Sequence, residues 1–159
     1  MSPIDIRLTD FEVPNLNDLP SDYQDLLDLI NLGKYEWVVQ LYNYEFKMGS
    51  LWEWEWREIY RKLSGLDLLA KDRLIKVEVL TKAIIEVKSY STNKTWEFKE
   101  ESQKVILRHL LLSMDKKVID DLYEGFNYGE EIALKKFKEK LEDIKRRVKS
   151  DFFVDFGSY

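Results

Sequence analysis

Residues 50–65 read SLWEWEWREIYRKLSG and residues 66–87 read LDLLAKDRLIKVEVLTKAIIEV, and the assignment of these two stretches decides the fold. The first reads as a helix. Ser50 followed by Glu53 has the spacing of a capping box, and Gly65 is the residue type that ends helices in a left-handed conformation. Between them Trp52, Trp56, Ile59 and Leu63 recur at i, i+4, i+7 and i+11, one apolar stripe. Trp54 falls about 200° from Trp52 at helical spacing, among Arg57, Glu58 and Arg61. It is therefore either covered by another part of the chain or available to a partner. In the second stretch Ala70, Leu74, Val77, Leu80, Ile84 and Val87 form a stripe that Leu69, Ile75, Val79, Ala83 and Ile85 widen. That pattern predicts one helix to residue 87 at the centre of the core.

Working outward, residues 35–48 change period. Tyr35, Trp37, Val39 and Leu41, then Tyr44, Phe46 and Met48, alternate with other residues and are interrupted by Tyr42-Asn43, which suggests a short hairpin, with a continuous helix as the competing reading because no Gly or Pro sits at the turn. Ser21 to Gly33 reads as a capped helix with Tyr23, Leu26, Leu27 and Ile30 inward. Residues 1–20 hold all three prolines and read as an extended N-terminal arm. Residues 88–98 read as a loop or a minimal second hairpin. Residues 99–114 read as a helix with Val105, Ile106, Leu107, Leu110, Leu111 and Met114 facing inward, and Asp115 caps a further one. Gly125 to Gly129 reads as a break before an amphipathic helix over 130–150 with a narrow seam of Phe137, Leu141, Ile144 and Val148. Residues 151–159 carry four aromatics, Phe152, Phe153, Phe156 and Tyr159, too greasy for a solvated tail. The expected fold is mainly α: an arm (1–20), a compact helical domain with one short β-hairpin (21–150) and an aromatic C-terminal tail (151–159).

Composition narrows the function classes. The chain has 159 residues, 45% hydrophobic and 35% charged, enough for one domain with a real core. No apolar run has membrane-spanning length, and the acidic start lacks the order of a signal peptide. The net charge of −5 disfavours nucleic-acid binding, which rests on neutralising phosphates. Residues 1–31 carry seven acids against Arg7, whereas residues 131–150 carry eight bases against four acids, so the two regions could pair within one molecule or between copies.

The sequence offers little for catalysis. There is no cysteine, and His109 is the single histidine, on a helix beside Arg108 and Leu110. No zinc set, Ser-His-acid triad or glycine-rich phosphate loop appears. Adjacent acids at 100–101, 120–121 and 130–131 sit near expected helix starts, where the dipole accounts for them. No cofactor or metal site is expected, and no enzyme. The candidate contact residues are Trp54, Phe152, Phe153, Phe156 and Tyr159.

The order of elements resembles that of small proteins from tailed-bacteriophage structural modules, in particular tail-assembly chaperone and baseplate-hub proteins. The likeness covers roughly residues 30–150. It runs through the aromatic pair of segments from Trp37 to Phe46, SLWEWEW (50–56), LSGL (63–66), KVEVLTKAII (76–85) and VIDDLYEGF (118–126) before a charged helix. The resemblance implies a non-enzymatic interaction protein. One form is a virion component of the tail, baseplate or neck, contacting other phage structural proteins or copies of itself. The alternatives are a soluble assembly chaperone in the host cytoplasm, and a cellular helical adaptor.

Overall fold

The computed structural model describes strand residues Ile4–Asp5 and residues 32–152, with side chains for 32–147. Element order is β1 (Ile4–Asp5), β2 (Glu36–Leu41), β3 (Tyr44–Gly49), α1 (Glu53–Leu63), α2 (Leu68–Ala83), β4 (Ile84–Ser89), β5 (Thr95–Glu97), α3 (Glu101–Leu112) and α4 (Lys116–Phe152). All neighbouring strands are antiparallel, in the order β1-β2-β3-β4-β5. The protein is therefore α+β, and the expectation of a mainly α fold with one hairpin is overturned.

The hairpin at 36–49 is present, but it forms the middle of a sheet. Leu41 pairs with Tyr44, and Tyr42 and Asn43 take φ of 51° and 66°, the two left-handed residues of a tight hairpin turn. Strand alternation sorts the sheet into two faces. Glu36, Glu45, Lys47, Glu86 and Lys88 lie on one, where Lys47 registers with Glu86 and Glu45 with Lys88. Opposite charges across neighbouring strands suit a solvated face. Trp37, Val39, Phe46, Met48, Ile84 and Val87 lie on the other and meet the helices.

The second correction is inside the opening stretch. The helix over 66–87 stops at Ala83, and Ile84 begins β4 with no intervening loop. A continuous apolar run is compatible with a buried helix or a buried strand. The sheet decides, because β4 pairs on both sides, with β3 and with β5. A register shift between Lys47 and Met48 accommodates the junction. Lys104 clamps it: its ammonium donates to the carbonyls of Lys82 (3.1 Å) and Ile84 (2.6 Å).

The start of α1 also differs from the expected cap. Trp52 is the N-cap, and Glu55 reaches back to accept from its backbone N–H at 2.8 Å. Ser50 instead bridges to the strand, accepting from Tyr35 N–H at 3.0 Å. Gly65 does adopt the left-handed conformation, with φ of 86°.

The expected break at 125–129 is absent as well. α4 is one helix of 37 residues, about 55 Å long. Asp115 starts it as expected, accepting from Lys117 N–H at 2.8 Å. Its glycines serve close approach. A Cβ on Gly125 would sit 2.7 Å from Val39 Cγ1, and one on Gly129 would sit 2.2 Å from Trp37 Nε1. The helix backbone thus lies directly on β2, with Trp37 and Phe126 rings 5.6 Å apart beside it. Residues 151–152 belong to this helix. Of the expected arm, Ile4–Asp5 form an edge strand on β2. The rest of the arm, the helix over 21–31 and residues 153–159 lie outside the described residues.

Candidate functional site

Among the described residues, the helices do not cover the whole apolar face of the sheet. Between the β3-β4-β5 end and α3 runs an open groove of about 870 Å³. Its floor is Phe46, Val87, Trp96 and Phe98, and one wall is Ile106, Leu107, Leu110 and Leu111. Tyr42, Tyr44, Met114 and Val118 close one end. The volume lies in the range of ligand clefts, but the lining is unlike that of a catalytic pocket. Glu97 is its single carboxylate, Gln103 and Thr95 add neutral polarity, and the remainder is apolar or aromatic.

The groove exists because α3 carries more apolar residues than the fold can bury. Leu107 and Leu111 enter the core, while Ile106 (57% exposed) and Leu110 (47%) face the groove and Val105 stays exposed. The expectation that Val105, Ile106 and Leu110 face inward is thus corrected. Trp96, on the short edge strand β5, is 37% exposed, with Lys94 Nζ 5.3 Å from its ring centroid. Clustered large apolar side chains open to solvent mark contact surfaces. The hairpin tip is tied to α4 at the groove's end: the Tyr42 hydroxyl donates to Asp121, which also accepts from Lys117 at 2.7 Å. Those two donors, Lys117 foremost, hold the Asp121 carboxyl below its ordinary range.

Of the sequence-predicted contact residues, Trp54 has a described side chain, and it lies elsewhere. Trp54 is 59% exposed on α1, its ring 5.5 Å from Lys82 Nζ, and does not line the groove. Trp56 is half-buried, stacked on Tyr60 at 6.1 Å and edge-on to Phe126 at 6.5 Å. Trp54→Ala is expected to cost less than about 0.5 kcal/mol, and Trp56→Ala about 2–3 kcal/mol. Urea unfolding of the two variants measures both, and equal losses would refute the assignment. Phe152 ends α4, and Phe153, Phe156 and Tyr159 lie outside the described residues. His109 is exposed on α3.

A polar cluster at the α2–β4 junction is the other place where chemistry could reside. Burial pushes the Lys104 ammonium down to about 8, partly opposed by the nearby charge of Glu55. Burial likewise raises Glu55, against the Trp52 N–H that it accepts and the charges of Lys82 and Lys104. The geometry gives Lys104 a structural role, since it holds two carbonyls at a helix end. Its pH signature has a definite sign. The folded state releases this proton first, so the unfolded state binds more protons between about pH 8 and the ordinary lysine range. Stability from this group therefore rises with pH across that window, by roughly 3 kcal/mol. The ¹³Cε resonance of Lys104 is expected to titrate near pH 8, and a midpoint among the other lysines would contradict its burial.

Among the described residues, no group of three or more His, Cys, Asp or Glu is placed to hold a metal ion, and no helix is long and apolar enough to cross a membrane. Compared with known proteins, the chain matches no family model, no curated protein and no solved structure.

Proposed function

We propose that the protein is a non-catalytic interaction protein of a tailed-bacteriophage particle, working through protein–protein contacts, with the α3–β5 groove as its principal contact surface. One observation carries this reading: a groove of about 870 Å³ lined by Tyr44, Phe46, Trp96, Ile106 and Leu110, open to solvent and almost without polar groups. Grooves of this kind take apolar side chains from an extended or helical segment of another protein. The opposite sheet face carries charges in register, Lys47 with Glu86 and Glu45 with Lys88, so apolar contact with the sheet falls on the groove's side. The phage assignment rests on the resemblance in element order and hydrophobic spacing over roughly residues 30–150, of which the order after Ala83 is the one corrected above.

Mass-spectrometric identification in purified particles tests the setting. Presence there fits a virion component. Presence in infected-cell extract with absence from particles fits the chaperone reading, which an open apolar groove also suits. Leu110→Glu tests the surface. Leu110 is already half-exposed, so the change is expected to cost under about 1 kcal/mol of stability. A charge in an apolar contact leaves an unpaired buried group in any complex. Incorporation into particles is expected to fall at least tenfold. Normal incorporation of a folded Leu110→Glu chain would remove the groove from the reading.

A further inference from the structure

We infer that the groove of one copy receives the aromatic segment 153–159 of a second copy, so that chains join head to tail. The inference rests on the reading of the groove as a contact surface.

Geometry separates the two ends of the contact. Ile84, at the near end of the groove, registers with Met48, and Met48 registers with Trp37, which packs on Gly129. Gly129 lies 23 residues before Phe152 on one continuous helix, about 34 Å along the axis. Val118, at the far end, lies 34 residues before Phe152, about 51 Å away. Tyr159 follows Phe152 by seven residues, which span about 24 Å fully extended. Phe153 and Phe156 reach less. The segment therefore falls short of its own groove and meets an identical one on another molecule.

Chemistry matches the two partners. Phe153, Val154, Phe156 and Tyr159 supply apolar groups at close spacing, and the groove presents Phe46, Trp96, Phe98 and Leu110 to them. Lys94, held over the Trp96 ring at the rim, offers a cation to Asp155. Because donor and acceptor are different surfaces, the contact is heterologous, and it closes into rings or runs on as filaments according to the rotation between copies.

The test uses the full chain and two variants, with molar mass read by light scattering across a concentration series. Leu110→Glu blocks the groove and leaves the segment. The double variant Phe153→Ser, Phe156→Ser blocks the segment and leaves the groove. The unaltered chain is expected to rise with concentration above the single-chain mass of 19.1 kDa, and each variant alone is expected to stay at that mass. An equimolar mixture of the two is expected to give a species of twice that mass and nothing larger, since one intact groove meets one intact segment. Circular dichroism of each variant checks that it is folded. A monomeric unaltered chain, a mixture that stays monomeric, or variants that still associate singly would overturn the inference. Occupation of the groove by residues 6–31 of the same chain would give the monomeric result. Apart from that last case, these outcomes leave incorporation into particles untouched, so the inference can fail while the proposed function stands.

Discussion

Gly129→Ala is expected to destabilise the protein by about 3–4 kcal/mol, although alanine is the better helix former by about 1 kcal/mol. The position lies mid-helix in α4, where local propensity alone favours the substitution. Tertiary contact reverses the sign. The added methyl would stand 2.2 Å from Nε1 and 2.4 Å from Cδ1 and Cε2 of Trp37. Trp37 cannot yield, because it is fully buried and packed against Phe126. The strain is then taken up by moving α4 off β2, which opens the centre of the core. Overpacking costs of 1–3 kcal/mol are usual and rise when rigid rings are met. The comparison within the chain sharpens the expectation. Gly125→Ala meets Val39 at 2.7 Å, a softer contact, and is expected to cost about 1–2 kcal/mol. Gly65→Ala meets nothing within 4 Å but must hold a φ of 86°, at about 1 kcal/mol. Urea midpoints at unchanged m measure the order. A stabilised Gly129→Ala chain would mean that α4 and β2 are further apart than described.

Arg108→Ala is the second large effect, expected at about 3 kcal/mol. Glu78 lies on α2 between Val77 and Val79, with its side chain 4% exposed. Its carboxylate accepts from Arg108 Nε at 2.8 Å and from Lys62 Nζ at 3.4 Å. Both bases are far more exposed than the acid, so removing either partner has unequal consequences. Without Arg108, the buried charge keeps only the longer contact to Lys62, and uncompensated buried charges cost several kcal/mol. Without Glu78, both bases can turn to solvent. Glu78→Met is therefore expected to cost about 1 kcal/mol or less. The double variant Arg108→Ala, Glu78→Met should be more stable than Arg108→Ala alone. A double-mutant cycle gives the coupling directly. Equal losses from the two single changes would contradict the asymmetry of burial.

These two effects also show where reading the chain residue by residue stops. The hairpin at Tyr42-Asn43 was legible because alternation of side chains is local, and so was the stripe of Trp56, Ile59 and Leu63. The end of α2 was not, because Ile84, Ile85 and Val87 continue an apolar run that satisfies either period. Only pairing with β3 and β5 makes them a strand. Gly125 and Gly129 looked like punctuation because glycine's local effect is to weaken a helix. Their use here, admitting Val39 and Trp37 to the helix backbone, involves residues some ninety positions away. The groove was hidden for a related reason. Ile106 and Leu110 have the same helical spacing as buried residues, and no pattern along the helix tells which arc a neighbouring element covers.

The sequence by itself determined the order of most helices, the central hairpin with its turn, and a large aromatic and aliphatic core. Those follow from the period of apolar residues and from local conformational preference, which act over a few residues. It also placed unusual grease in residues 152–159. The tertiary structure alone decided the five-stranded sheet order, the single long α4 and the strip between β5 and α3 left open by the described residues. Each depends on which distant surfaces meet, and that is set by packing across the whole molecule.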